Sequence, residues 1–172
     1  DYILIIDTAT ERFSIALIKN QNVVAQYIES AVQQHAKKLT IEIEKLLNQA
    51  KCDYEELSAI AINEGPGSFT GLRVASSTAK GLCFALSIPL ISIRAIEAYA
   101  LSQVQNYESV VVMINARRDN YFYTMAHRDG IQVPITFLDK ESILNTVNQS
   151  LIIQSDNEMF YVYCNAAKLK DI

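Results

Sequence analysis

Two stretches of this sequence bring together residue types that can handle a phosphate or a metal. The first is Asp7-Thr8-Ala9-Thr10, which closes the apolar run Tyr2–Ile6. A carboxylate at a strand end can hold a metal-bound water, and hydroxyls in the next turn can donate to phosphate oxygens. The same Asp7, Thr8 and Thr10 can equally satisfy strand-end and turn backbone groups with no ligand present. The second stretch runs from Asn63 to Leu86 and holds four of the five glycines, Gly65, Gly67, Gly71 and Gly81. A glycine turn before a helix can cradle an anion on free amides and the helix dipole. It is not a Walker loop, because Lys80 lies too far along and no Gly-Lys-Ser/Thr is present.

Metal and nucleophile chemistry have thin support. Two imidazoles at i and i+4 would share a helix face and hold a metal. Here His35 is followed at that spacing by Leu39, and the other histidine, His127, is far along the chain. No motif pairs either histidine with a Ser or Cys nucleophile. The turn Asn115–Asn120, with Arg117 and Arg118, mirrors the Asp7–Arg12 turn, and neither contains the glycine that a phosphate-binding hairpin uses.

The elements that must position these residues follow from periodicity. Tyr2–Asp7, Phe13–Lys19 and Val23–Glu29 read as a three-stranded meander with turns at Thr8–Thr10 and Asn20–Asn22. His35–Ala50 is a helix with Ala36, Leu39, Ile43, Leu46, Leu47 and Ala50 on one face. Leu57–Ile62 reads as a buried strand. The helix after the glycine turn places Ala75, Ala79, Leu82 and Leu86 on one face and Gly71, Val74, Thr78, Gly81 and Ala85 beside it. Its charges are Arg73 and Lys80 alone. Such a helix is expected to be buried on more than one side, by the sheet and first helix or by another subunit. Pro89 stops it, Leu90–Ile93 is a strand, and Arg94–Gln105 is a helix.

Val110–Asn115, Tyr121–His127 and the strand from Ile131, with a helix over Lys140–Gln149, repeat the opening β-β-β-α order. Short strands follow at Leu151–Ile153 and Met159–Tyr163. A duplicated βββαβα unit is the plan of the actin-like ATPase, Hsp70 and sugar-kinase superfamily, with its ribonuclease H-like lobes. Lobes are expected over 1–106 and 107–172, the second incomplete at its C-terminal end.

The chain has 172 residues, half of them hydrophobic, with a net charge of −4, so a strong nonspecific grip on nucleic acid is not expected. No apolar run reaches the roughly 18 residues of a membrane span. The opening at Asp1 directly into a strand reads as lacking a leader peptide, with the initiator Met trimmed or unrecorded. Three scattered cysteines suit a reducing compartment, and a cytoplasmic location is expected.

Several motifs in order, Ile3–Thr10, His35-Ala-Lys-Lys-Leu39, Gly65-Pro-Gly-Ser-Phe-Thr-Gly-Leu-Arg73 with Lys80-Gly81, and Asn115–Tyr121, resemble the TsaB (YeaZ) family. The resemblance implies a noncatalytic paralogue of TsaD, the metal- and nucleotide-dependent enzyme that makes N6-threonylcarbamoyladenosine 3′ of the tRNA anticodon. TsaD carries a metal-binding histidine pair at i and i+4, and Leu39 stands where its second member would be. The resemblance further implies a scaffold that pairs with TsaD, and with itself when TsaD is absent, through the first two helices. TsaE, an ATPase, joins the assembly, and tRNA is met only through the complex. The implied contact residues are His35, Leu39, Phe69, Thr70, Leu72, Arg73, Ala75, Ser76, Ala79 and Lys80. No metal or cofactor is expected, with Asp7, Thr8 and Thr10 a vestigial nucleotide site and weak ATP or ADP binding left open. Two other classes remain on the residues alone. One is a small phosphotransferase or ATPase using Asp7, Thr8, Thr10 and the Gly65–Gly67 turn. The other is an M22-like glycopeptidase, for which the paired histidines and an evident nucleophile are lacking.

Overall fold

The computed structural model describes residues 1–10, 13–29, 35–116, 118, 120–147, 151–154 and 160–164. Glu11 and Arg12 of the first turn, Arg117 of the second, the end of the helix expected to reach Gln149, and Met159 lie outside the described residues. The chain forms two compact units, Asp1–Ile93 and Arg94–Ile172.

The first unit is a five-stranded sheet with two helices. In chain order it contains β1 (Tyr2–Asp7), β2 (Phe13–Lys19), β3 (Asn22–Glu29), α1 (His35–Ala50), β4 (Leu57–Asn63), α2 (Phe69–Leu86) and β5 (Leu90–Ile93). The sheet order is β3-β2-β1-β4-β5. The meander pairs antiparallel, and β4 joins β1 in parallel after the α1 crossover. Register explains the core. Leu4 lies opposite Leu17 and Ile60, and Ile6 opposite Ile15 and Ile62, so two apolar rows cross three strands. Against those rows α1 sets Leu39, Ile43, Leu46 and Leu47, and α2 sets Ala75, Ala79 and Cys83. Lys38 on α1 reaches Glu29 on β3 at 2.6 Å, and the helix turns out through Lys51 at φ 52°.

The second unit contains α3 (Ala95–Gln103), β6 (Ser109–Asn115), β7 (Asn120–His127), β8 (Gly130–Asp139), α4 (Lys140–Val147), β9 (Leu151–Gln154) and β10 (Phe160–Cys164). Its order, β8-β7-β6-β10-β9, matches the first sheet in its three-stranded meander. The match stops at β10, which pairs antiparallel with β6 as the partner of the β9 hairpin. In the first unit a helical crossover makes the corresponding pairing parallel. Strand β6 is buried on both faces. Val110, Val112 and Ile114 meet Ile96 and Ala100 of α3 and Val104 at its C-terminal end. On the opposite face Val111 and Met113 join Tyr121, Tyr123 and Ile143, the last from α4. That is why its sequence is an unbroken apolar run.

The lobe boundary expected after residue 106 requires correction. The units divide between Ile93 and Arg94, because the apolar side chains of α3 pack on β6 and β7 of the second sheet.

Asp139 starts α4, accepting from Ser142 N at 2.9 Å and from Ser142 Oγ at 2.6 Å. The Ser142 hydroxyl bond first, then the backbone bond, holds its pKa below the ordinary aspartate value. A lowered folded pKa means this contribution is present above the unfolded pKa and is lost as pH falls through the folded one. An NMR carboxyl titration should therefore place the Asp139 midpoint below that of an unfolded aspartate, and Ser142→Ala should move it upward.

Candidate functional site

The carboxylate of Asp7 and the amide of Asn63 end adjacent parallel strands. Asn63 is buried, and its Nδ2 donates to Asp7 Oδ1 at 3.1 Å and Oδ2 at 3.2 Å. Its Oδ1 accepts from Gly65 N at 3.0 Å, starting the glycine turn. Asp7 Oδ1 also accepts from Ala9 N at 2.9 Å. The carboxylate thereby ties β1, β4 and two turns together. Thr8 is 1% exposed and donates its hydroxyl to Gly71 O at 2.6 Å. Of the two readings of Thr8, phosphate donor or turn residue satisfying backbone groups, the hydrogen bond favours the second, because its one hydroxyl proton is committed inside the unit. Thr10 is half-buried in the same turn.

The glycines explain themselves by what lies against them. A Cβ on Gly71 would overlap the Thr8 carbonyl, and one on Gly67 would meet the Ala9 carbonyl and lie 2.7 Å from Ala9 Cβ. Ser68 N donates to Ala9 O at 2.6 Å, and Ser68 Oγ caps α2 by accepting from Gly71 N at 3.3 Å. Gly65 adopts φ +112°, a conformation few other residues accept. The space at Gly67 and Gly71 admits protein carbonyls, so these glycines lock the start of α2 onto the β1–β2 turn.

From that anchor α2 presents two unlike sides. Gly71, Ala75, Ala79 and Cys83, four residues apart, are buried. Leu39, Ala75 and Ala79 each have 0% exposure, so their expected role as partner contacts is corrected: they are core, and their small or packed side chains have no surface to offer. The outer side carries Phe69 at 71% and Phe84 at 89% exposure, with Thr70, Arg73 and Lys80 exposed beside them. The Arg73 guanidinium lies over the Phe69 ring, 4.6 Å from its centroid. Half-buried Leu72 and Ser76 line a shallow groove of about 320 Å³, with Phe69, Arg73, Lys80, Leu90 and Ser92.

Other expected site residues are dispersed. His35 opens α1, and its side chain lies outside the described residues. His127 sits on β7 in the second unit, its Nδ1 3.7 Å from Asp129 Oδ2. Burial pushes the Cys52 and Cys83 thiols upward, which disfavours a reactive thiolate at either. Sequence reasoning passed over Phe84 and Asn63. Phe84 was traceable as the continuation of Phe69, Arg73 and Lys80 at helical spacing. Asn63 was traceable as the polar end of an apolar run, the counterpart of Asp7.

A family model described as TsaD, tRNA N6-adenosine threonylcarbamoyltransferase, matches residues 21–133. A solved Pseudomonas aeruginosa protein, described as similar to peptidase YEAZ, superposes with TM-score 0.71 at 30% identity, over 82% of this chain and 68% of that one. The chain belongs to the TsaB (YeaZ) family. Its fold is the actin-like α/β architecture of that family. TsaB of Haemophilus influenzae, named a tRNA threonylcarbamoyladenosine biosynthesis protein, is 31% identical over 132 residues, 76% of this chain and 56% of that protein. The Bacillus subtilis TsaB protein of the same name is 31% identical over 122 residues, 71% of this chain and 53% of its own. The chain thus spans a little over half the length of these curated TsaB relatives.

Gly71→Ala should lower stability by about 1–3 kcal/mol, because the added methyl must displace the Thr8 carbonyl. Gly81→Ala, where a Cβ meets nothing within 4 Å, should instead raise it by about 0.5–1 kcal/mol. Urea unfolding of the two variants checks both signs. Ala79→Asp should unfold the first unit outright, seen as lost cooperativity in a thermal melt, since an unpaired charge there has no exit to solvent.

Proposed function

We propose that this protein acts in forming N6-threonylcarbamoyladenosine in tRNA, as the docking subunit of a TsaD-type threonylcarbamoyltransferase. It supplies a surface to the enzyme and no reacting group. The observation that carries the reading is the outer side of α2, where Phe69, Arg73, Lys80 and Phe84 stand exposed on a helix whose inner side is already filled. Exposed aromatics beside arginine are the composition of binding hot spots. Ile41 on α1 is a further half-exposed apolar side chain of the first unit.

Two features support a non-reacting role. Leu39, which the family resemblance sets where TsaD-type enzymes carry their second metal histidine, is packed in the core. Thr8, a candidate phosphate donor, is engaged by Gly71. On this reading the same outer side pairs with a second copy when the transferase is absent. A TsaE-type ATPase and tRNA meet the protein through the assembled complex, in the cytoplasm.

Size-exclusion chromatography with light scattering should show a complex when the protein is mixed with the TsaD protein of the same organism. Phe84→Ala and Arg73→Glu should each weaken it by about 2 kcal/mol, roughly thirtyfold, with unchanged melting temperature. The isolated protein should show no detectable ATPase activity, and calorimetry with Mg-ATP should give at most weak binding. Absence of both a complex and a homodimer would sink the reading, as would saturable Mg-ATP binding abolished by Asp7→Ala.

A further inference from the structure

Strand β5 is one edge of the first sheet. Pro89 O accepts from Ile60 N at 3.1 Å, and Ile93 O accepts from Glu64 N at 3.0 Å. Main-chain groups alternate along a strand, so Ile91 shares that side, and Leu90 and Ser92 turn their N–H and C=O groups away from β4. The side chains of Leu90 and Ser92 line the groove beside α2. Among the described residues, an unpaired strand edge therefore runs along a groove lined by Ile62, Leu72 and Leu90 and by two cations.

We propose that this edge and groove form a peptide-recognition site that takes an extended acidic segment as a sixth strand of the sheet. Strand addition supplies affinity through the main-chain groups of Leu90 and Ser92, and alternate side chains of the incoming segment drop into the groove. Charge selects the segment. Arg73 and Lys80 line the groove, and among the described residues neither is in an ion pair. They lie seven helical positions apart, about 10 Å or about three residues of extended chain, so carboxylates two or four positions apart fall within reach of both cations. Glu64 also lines the groove, and it disfavours a carboxylate at that end. Leu72 and Leu90 favour apolar residues between the acids. A nucleic acid fits less well, because a phosphate backbone cannot pair with alternating N–H and C=O groups and the whole chain is at −4.

The site extends the docking role proposed above, and depends on it only for where such a segment would come from. Its test needs no transferase. The probe is a capped decapeptide of alternating Glu and Val, titrated into the ¹⁵N-labelled full chain. Amide shifts are expected at residues 90–93 and along 69–80. The alternating Lys and Val peptide should bind at least about tenfold more weakly, as should the acidic peptide to Arg73→Glu/Lys80→Glu. Ser92→Pro removes an outward N–H while leaving the β4 ladder intact, and should abolish binding with the fold retained. An acidic peptide N-methylated at alternate residues should fail likewise. Unmoved 90–93 amides, equal binding of the methylated peptide, or tighter binding of an oligouridylate would each overturn the proposal. If the peptide fails while the transferase complex still forms, the docking role stands and the edge site does not.

Discussion

The architecture of the first unit depends on a backbone approach too close for any side chain. The carbonyls of Thr8 and Ala9 lie where the Cβ atoms of Gly71 and Gly67 would be. Thr8 Oγ1 and Ser68 N add hydrogen bonds of 2.6 Å each across the same seam. This seam joins the end of β1 to the start of α2, segments about sixty positions apart in sequence. Asn63 reinforces it by gripping both oxygens of Asp7. Carboxylate, hydroxyl and glycines, residue types suited to a phosphate site, are here engaged with one another.

The direction of α2 follows from that seam. Pinned at its first turn, the helix descends along β4 with its Gly-Ala-Ala-Cys ridge inward. Small side chains let it approach the sheet closely, and the core at that level is completed by Ile60, Ile62 and the α1 leucines. Since the inner side has no room for larger groups, Phe69 and Phe84 stand outside. Their exposure is not needed for the monomer's packing. The helix is thereby left with an apolar and cationic outer side.

The second unit solves burial differently. Its central strand β6 is covered on one face by α3 and on the other by α4, so its core is two thin clusters on either side of one strand. The opening β-β-β-α order repeats that of the first unit, and its final pairing is antiparallel. The two units therefore share a plan in their meanders and diverge where the fifth strand is added.

Local periodicity is enough to read much of this protein. Alternation in Phe13–Lys19, the unbroken apolar runs of Tyr2–Asp7 and Val110–Asn115, and the helical spacing of Leu39, Ile43 and Leu46 specify their elements, because each pattern is complete within a few residues. The glycine turn and the family motifs are legible for the same reason. Tertiary structure alone decided three things. It assigned α3 to the second sheet, because a helix of uniform hydrophobicity does not announce its partner. It turned Ala75 and Ala79 inward and Phe84 outward, because alanine, glycine and phenylalanine on α2 are all apolar and differ in what fits against β4. It also joined Asp7 to Asn63 and Thr8 to Gly71, since parallel register brings together residues that nothing in the linear chain relates.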